Sequence, residues 1–147
     1  MKHLILISLI LTSMATARSM EESYFKQHGD FKIFYSAFGS SFLTPEVAVA
    51  NHIVRGEGKG LVNIAVVKTL GTGTSAEVHG QVSNILQQTQ TLKFTAVREQ
   101  DTLYYLAPFE FDNQDYLTFK ITVVPNAEDH APVGAYSFKF QKKMYHN

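Results

Sequence analysis

The chain contains no cysteine. That absence excludes disulfides, a thiolate nucleophile, a blue-copper centre with its Cys ligand, and a lipidated amino terminus. Tryptophan is also missing, so the broadest aromatic platform for a sugar ring is not available to a glycosidase-like site. A basic surplus is absent too. The 13 Lys and Arg are matched by 13 Asp and Glu, and Lys142-Lys143 is the only basic doublet, so there is no stripe for nucleic acid. No apolar run approaches the roughly 20 residues that a bilayer-spanning helix needs. There is no internal repeat, low-complexity tract or linker to a second domain.

What is present begins with an export signal. Lys2 and His3 form a short basic start, Leu4 to Leu11 (LILISLIL) an apolar segment, and Ala15-Thr16-Ala17 the small residues a signal peptidase reads. The apolar run breaks at Thr12-Ser13, so a cleaved signal over 1–17 is expected rather than an anchor. Arg18 would then be the first mature residue, followed by a single domain over 18–147. Lys2 leaves with the signal, which makes the mature chain slightly acidic.

About 130 mature residues suit one domain, which at this size buries roughly two-thirds of the surface its unfolded chain exposes. Small secreted folds often depend on disulfides; this one must depend on packing. Eleven Phe and seven Tyr supply the material.

Alternation with a period of two dominates the mature chain and predicts strands with one face on a core and one in water. Phe31, Ile33 and Tyr35 alternate with Lys32 and Phe34. The same pattern places Val78, Gly80 and Val82 on one face, and Leu92, Phe94 and Ala96 on another. It recurs at Phe119, Ile121 and Val123, and again at Tyr136, Phe138 and Phe140. Leu61 to Val67 (LVNIAVV) is nearly all apolar, so a central strand covered on both sides is expected, with Asn63 needing hydrogen-bond partners there. Pro108 cannot donate to a ladder, so an edge position or a bulge is expected within Leu103 to Phe111.

One short helix is predicted. Thr44 offers a capping side chain, Pro45 suits the first helical position, and Glu46 lies near the positive end of the dipole. The helix should stop before Gly56. Turns are expected at 56–60, 70–75, 99–101 and 112–115, and a longer irregular stretch at 125–134. Seven or eight strands at these spacings favour an all-β antiparallel sandwich, with a closed barrel as the alternative.

The chemistry-bearing residues form no recognisable catalytic constellation. Of the six histidines, five are mature: His28, His52, His79, His130 and His146. None pairs at i, i+2 or i, i+4, so ordinary surface histidines are expected and no metal site is assigned. Glu110 and Asp112 on one strand would lie about 7 Å apart, a separation glycosidases can use. Yet Asp112-Asn113-Gln114-Asp115 has the composition of a solvated turn. Gly71-Thr72-Gly73-Thr74-Ser75 lacks the Gly-Lys-Ser/Thr ending of a phosphate loop, and there is no G-x-S-x-G elbow. The segment from Ser36 to Gly60 holds the candidate binding residues. His52, Arg55 and Lys59 follow the helix, whose free N–H groups could receive an anion or peptide carboxylate. Phe34, Tyr104 and Tyr116 could form an outward aromatic patch for a protein partner, or cover a second buried sheet face.

The text YSAFGSSFLTPEVA at Tyr35 to Ala48 is more distinctive than composition requires. Together with GLVNIAV at Gly60 to Val66, YYLAPF at Tyr104 to Phe109 and the ending AYSFKFQKKMY, it resembles domain-of-unknown-function family 4426. Those are small exported proteins of Gram-negative bacteria, and the resemblance spans nearly the whole mature chain. It implies a periplasmic, immunoglobulin-like sandwich and carries over no catalytic residue. The leading expectation is a non-enzymatic periplasmic module, without cofactor or mature membrane span, that binds a protein or small ligand through its helix-containing end. The alternatives are a metal-dependent or hydrolytic enzyme whose residues converge only in three dimensions, and a structural subunit of an envelope assembly.

Overall fold

A computed structural model describes residues 25–68, 73–126 and 134–146. The expected signal, His130 and parts of the turns at 70–75 and 125–134 lie outside the described residues. Nine strands are present among the described residues: β1 (Phe25–His28), β2 (Phe31–Gly39), β3 (Lys59–Lys68), β4 (Ala76–Ser83), β5 (Thr89–Leu92), β6 (Thr95–Glu99), β7 (Thr102–Glu110), β8 (Tyr116–Pro125) and β9 (Tyr136–Lys143). A single 3-10 turn (Ser40–Phe42) and helix α1 (Pro45–Ala50) stand between β2 and β3.

The strands form two antiparallel sheets. One has the order β1-β2-β3-β7-β6 and the other β5-β4-β8-β9, a sandwich-like arrangement. The alternation predicts which side chains face inward. Phe31 and Ile33 of β2, Val62, Ile64 and Val66 of β3, and Phe119, Ile121 and Val123 of β8 are all buried in one core. Phe138 of β9 is buried with them, and Tyr35, Val78, Phe94, Tyr136 and Phe140 pack against it.

Aromatic rings thread the gap between the sheets. Phe109 meets Phe119 edge-on at 5.2 Å. Phe119 stacks on Phe140 at 4.6 Å with the planes 9° apart. Phe140 and Phe138 both lean on Tyr35, at 4.7 and 5.1 Å. Each such pair contributes about 0.5–1.5 kcal/mol beyond the area it buries, which is how a cysteine-free sandwich holds its layers. The Tyr105 hydroxyl adds a polar tie, accepting the Ala76 N–H of the opposite sheet at 2.8 Å.

Nine strands occur among the described residues, against the seven or eight that alternation predicts. Residues 89–99 do not form one strand: β5 pairs with β4, whereas β6 pairs with β7 in the other sheet. The chain crosses between sheets at Lys93-Phe94. β1 was not expected, because it is only four residues long; it pairs with β2 through a hairpin whose Gly29 has φ +57°.

β3 is the central strand of its sheet, as the apolar run predicts. Val62, Ile64 and Val66 face the core, while Leu61 and Ala65 on the other face are buried as well. Asn63 lies between them, and its Oδ1 is buried without a hydrogen-bond partner. Pro108 pairs with Leu61 on the β3 side. β6 begins only at Thr95, opposite Leu106, so Pro108 lies past its end, on a locally open edge.

Candidate functional site

The helix forms where predicted. The Thr44 side chain accepts the Val47 N–H at 3.3 Å, Pro45 opens α1, and Glu46 lies in its first turn. Ala48 is the buried residue of this helix. The chain then reverses through His52, whose φ of +56° marks a left-handed residue just beyond the helix end. Ser40 anchors the return. It is buried, its Oγ accepts the Gly56 N–H at 3.1 Å, and the same hydroxyl donates to Gly56 O at 3.3 Å.

This return places the segment Asn51 to Val54 beside the outer face of the five-stranded sheet, and a groove of about 560 Å³ lies between them. Ile53, Leu61, Val97, Leu106 and Pro108 line it with apolar surface. His52, Lys59, Gln90 and Glu110 provide polar groups. The alternation explains the floor. Leu61, Leu106 and Pro108 stand on the face opposite the core residues Val62, Ala107 and Phe109.

The three candidate binding residues are not brought to one point. His52 and Lys59 line the same groove. Arg55 does not; its guanidinium donates to Ser41 O at 3.2 Å. Lys59 faces the carboxylate of Glu110, Nζ to Oε1 3.2 Å, with both side chains substantially exposed. An exposed pair of this kind contributes at most about 1 kcal/mol, so a ligand can open it at little cost. None of the three lies in the last turn of α1, which holds no basic residue. The polar rim is therefore close to neutral, and the apolar floor dominates the recognition chemistry.

Sequence reasoning missed Gln90. Its amide reaches from β5 across the mouth of the sandwich to Glu110. Nε2 donates to Glu110 O at 2.7 Å, and Oε1 accepts the Glu110 N–H at 2.8 Å. A glutamine in an alternating polar segment carries no local sign of this role.

A second cleft of about 530 Å³ lies on the other side of the Lys59–Glu110 pair, with Glu57, Asp112, Asp115 and His146 among its lining residues. Glu110 ends β7, whereas Asp112 belongs to a turn in which its N–H donates to Asp115 Oδ2 at 2.9 Å. The two carboxylates thus do not share a strand face. Among the described residues no group of three or more His, Asp or Glu side chains is placed to hold a metal ion. His28 bonds Gly134 O at 2.8 Å and stacks on Tyr136. His146 lies against Phe111, and His79 is exposed on β4. Phe34 and Tyr116 are exposed large hydrophobics, and Tyr104 is half-buried. Among the described residues no helix is long and apolar enough to cross a membrane.

Comparison with known proteins places this architecture. A crystal structure of a DUF4426 family protein from Pseudomonas aeruginosa PAO1 is similar, with 30% identity, a TM-score of 0.73, and coverage of 84% of this chain and 94% of that one. The crystal structure of FetP from uropathogenic E. coli strain F11, a protein recombinantly expressed in the periplasm, has a TM-score of 0.57. It covers 84% of this chain and 93% of FetP at 9% identity, a likeness of fold alone. No curated protein matches. The profile described as domain of unknown function (DUF4426) matches residues 25–147, and the chain belongs to that family.

Proposed function

We propose that this protein is a non-enzymatic binding module of the periplasm that takes an apolar group, presented by a peptide or small ligand, into the groove beside Asn51 to Val54. One observation carries the reading. A concavity of about 560 Å³ pairs an apolar floor of Leu61, Leu106 and Pro108 with a few polar groups at His52, Lys59, Gln90 and Glu110. That size and mixture suit ligand pockets, in which apolar walls provide affinity and sparse polar groups fix orientation. The exposed Lys59–Glu110 pair can open to meet one charged end of a peptide, Lys59 a carboxylate or Glu110 an amine. The periplasmic address rests on the signal read at residues 1–17.

Titration with short Leu- and Phe-containing peptides, followed by methyl NMR, tests the groove. Shifts confined to Leu61, Val97 and Leu106, lost in Leu106→Asp with its melting temperature retained, are the expected result. Shifts elsewhere, or turnover of a hydrolase substrate panel without binding, would sink the proposal. Fractionation of cells and an intact mass beginning at Arg18 test the address.

A further inference from the structure

The outer face of the β5-β4-β8-β9 sheet presents a chemistry the groove does not use. Phe119 and Phe140 point into the core, so Lys120 and Lys139, one place away on β8 and β9, point out. They are direct partners across the two strands. Like charges so placed bring their Cβ atoms to about 5 Å and destabilise the pairing. Neither lysine has an ion-pair or hydrogen-bond partner among the described residues.

Their row continues through neutral residues, Gln81 on β4 and Thr91 on β5. Glu77 is the acid on this face of β4, and it lies four residues from Gln81, about 13 Å away. Acids instead line the cleft at the sandwich mouth, where Glu57, Glu110, Asp112 and Asp115 gather. A chain with balanced total charge thus keeps its central sheet-face cations unneutralised.

On β8 and β9 the flanking rows are hydroxyl and amide groups, and on β4 His79 continues the row of Thr122 and Ser137. Gln141 donates to the Thr118 hydroxyl at 3.2 Å, and the hydroxyls of Thr122 and Ser137 share a bond of 2.8 Å. These groups can exchange their partners for ligand hydroxyls. Lys120 and Lys139 are exposed on an open sheet face and line neither cleft, so they do not enclose a small anion; an extended polymer can cover such a face by summing weak contacts. A single-stranded nucleic acid needs aromatic stacking platforms, and a bilayer needs apolar side chains to insert. Among its described strand residues the face carries one exposed tyrosine ring, Tyr116, whose hydroxyl donates to Gln141 Oε1 at 2.8 Å. A lone tyrosine beside the lysine pair gives neither a run of stacking platforms nor an apolar surface to insert.

We propose that this face binds an anionic polysaccharide, with Lys120 and Lys139 taking its carboxylates and the Ser, Thr and Gln rows its hydroxyls. The surface is separate from the groove and its test does not depend on it.

The test uses the purified full chain with polygalacturonate, compared with methyl-esterified polygalacturonate of equal length. Binding of the charged polymer that weakens with salt, and no binding of the ester, are expected. The double variant Lys120→Gln/Lys139→Gln should lose at least about tenfold in affinity, a factor corresponding to about 1.4 kcal/mol, while melting no lower than the parent. Lys26→Gln/Lys32→Gln, which neutralises two cations on the other sheet, should bind as the parent does. Three results would overturn the proposal: no binding of polygalacturonate at low salt, equal losses in both double variants, or preference for a single-stranded oligonucleotide or phosphatidylglycerol vesicles.

Discussion

The side-chain amide of Gln90 holds Glu110 by both of its backbone groups, donating at 2.7 Å and accepting at 2.8 Å. A neighbouring strand residue would make the same pair of bonds. Gln90 therefore ends the ladder at a point where β6 has not yet begun, and covers an edge that would otherwise offer a template to another chain.

Gln90→Ala removes both bonds and should cost about 1–2 kcal/mol, given a net value near 1 kcal/mol for each exposed backbone bond. Urea unfolding measures the loss. The variant should also self-associate more readily, seen in sedimentation at increasing concentration. Gln90→Glu should recover only part of the stability, because it keeps an acceptor and loses the donor.

Phe138→Ala should destabilise the protein by about 3–5 kcal/mol. Phe138 is buried in the common core and touches both Tyr35 and Tyr136. A change within about 0.5 kcal/mol, the range of ordinary surface substitutions, would mean that β9 presents its other face.

A third prediction concerns close approach. A Cβ at Gly60 would lie 2.3 Å from the Phe109 ring. Gly60→Ala must displace that ring, at a cost of about 1–3 kcal/mol. Because Phe109 meets Phe119 edge-on, the displacement reaches the aromatic chain between the sheets. Combining Gly60→Ala with Phe109→Leu should cost less than the sum of the single changes, as thermal melts of the four proteins would show.

Asn63 leads to the opposite sign. Its Oδ1 is buried and unpartnered, so the native residue carries a desolvation cost with no compensating bond. Asn63→Val, which suits a central strand, should leave stability unchanged or raise it by about 1 kcal/mol. A clear loss of stability in denaturant titrations would refute that account.

Much of the fold is legible in local patterns, because burial on a strand repeats every two residues. Phe119, Ile121 and Val123 announce their face without reference to any partner, and Thr44-Pro45-Glu46 announces the helix start. What escapes is relational. Leu92, Phe94 and Ala96 alternate smoothly, yet Leu92 belongs to one sheet and Ala96 to the other. Alternation records which side is apolar, not which neighbour supplies the hydrogen bonds. The same holds for the site. His52 and Lys59 were legible as polar residues after a helix, and they do share the groove. Its floor of Leu106 and Pro108, and the reach of Gln90, depend on strand register between segments far apart in the chain. The opposition of Lys120 and Lys139 is likewise a property of pairing.

The crossing at Lys93-Phe94 also acts as a ruler. Three residue steps separate Leu92 from Thr95, and extended chain covers about 10 Å in that distance, the usual spacing between stacked sheets. A link this short caps how far apart the two layers can stand along that side. One inserted residue would relax this limit and let that side gape, whereas one deletion would force β5 or β6 to surrender a rung of its ladder.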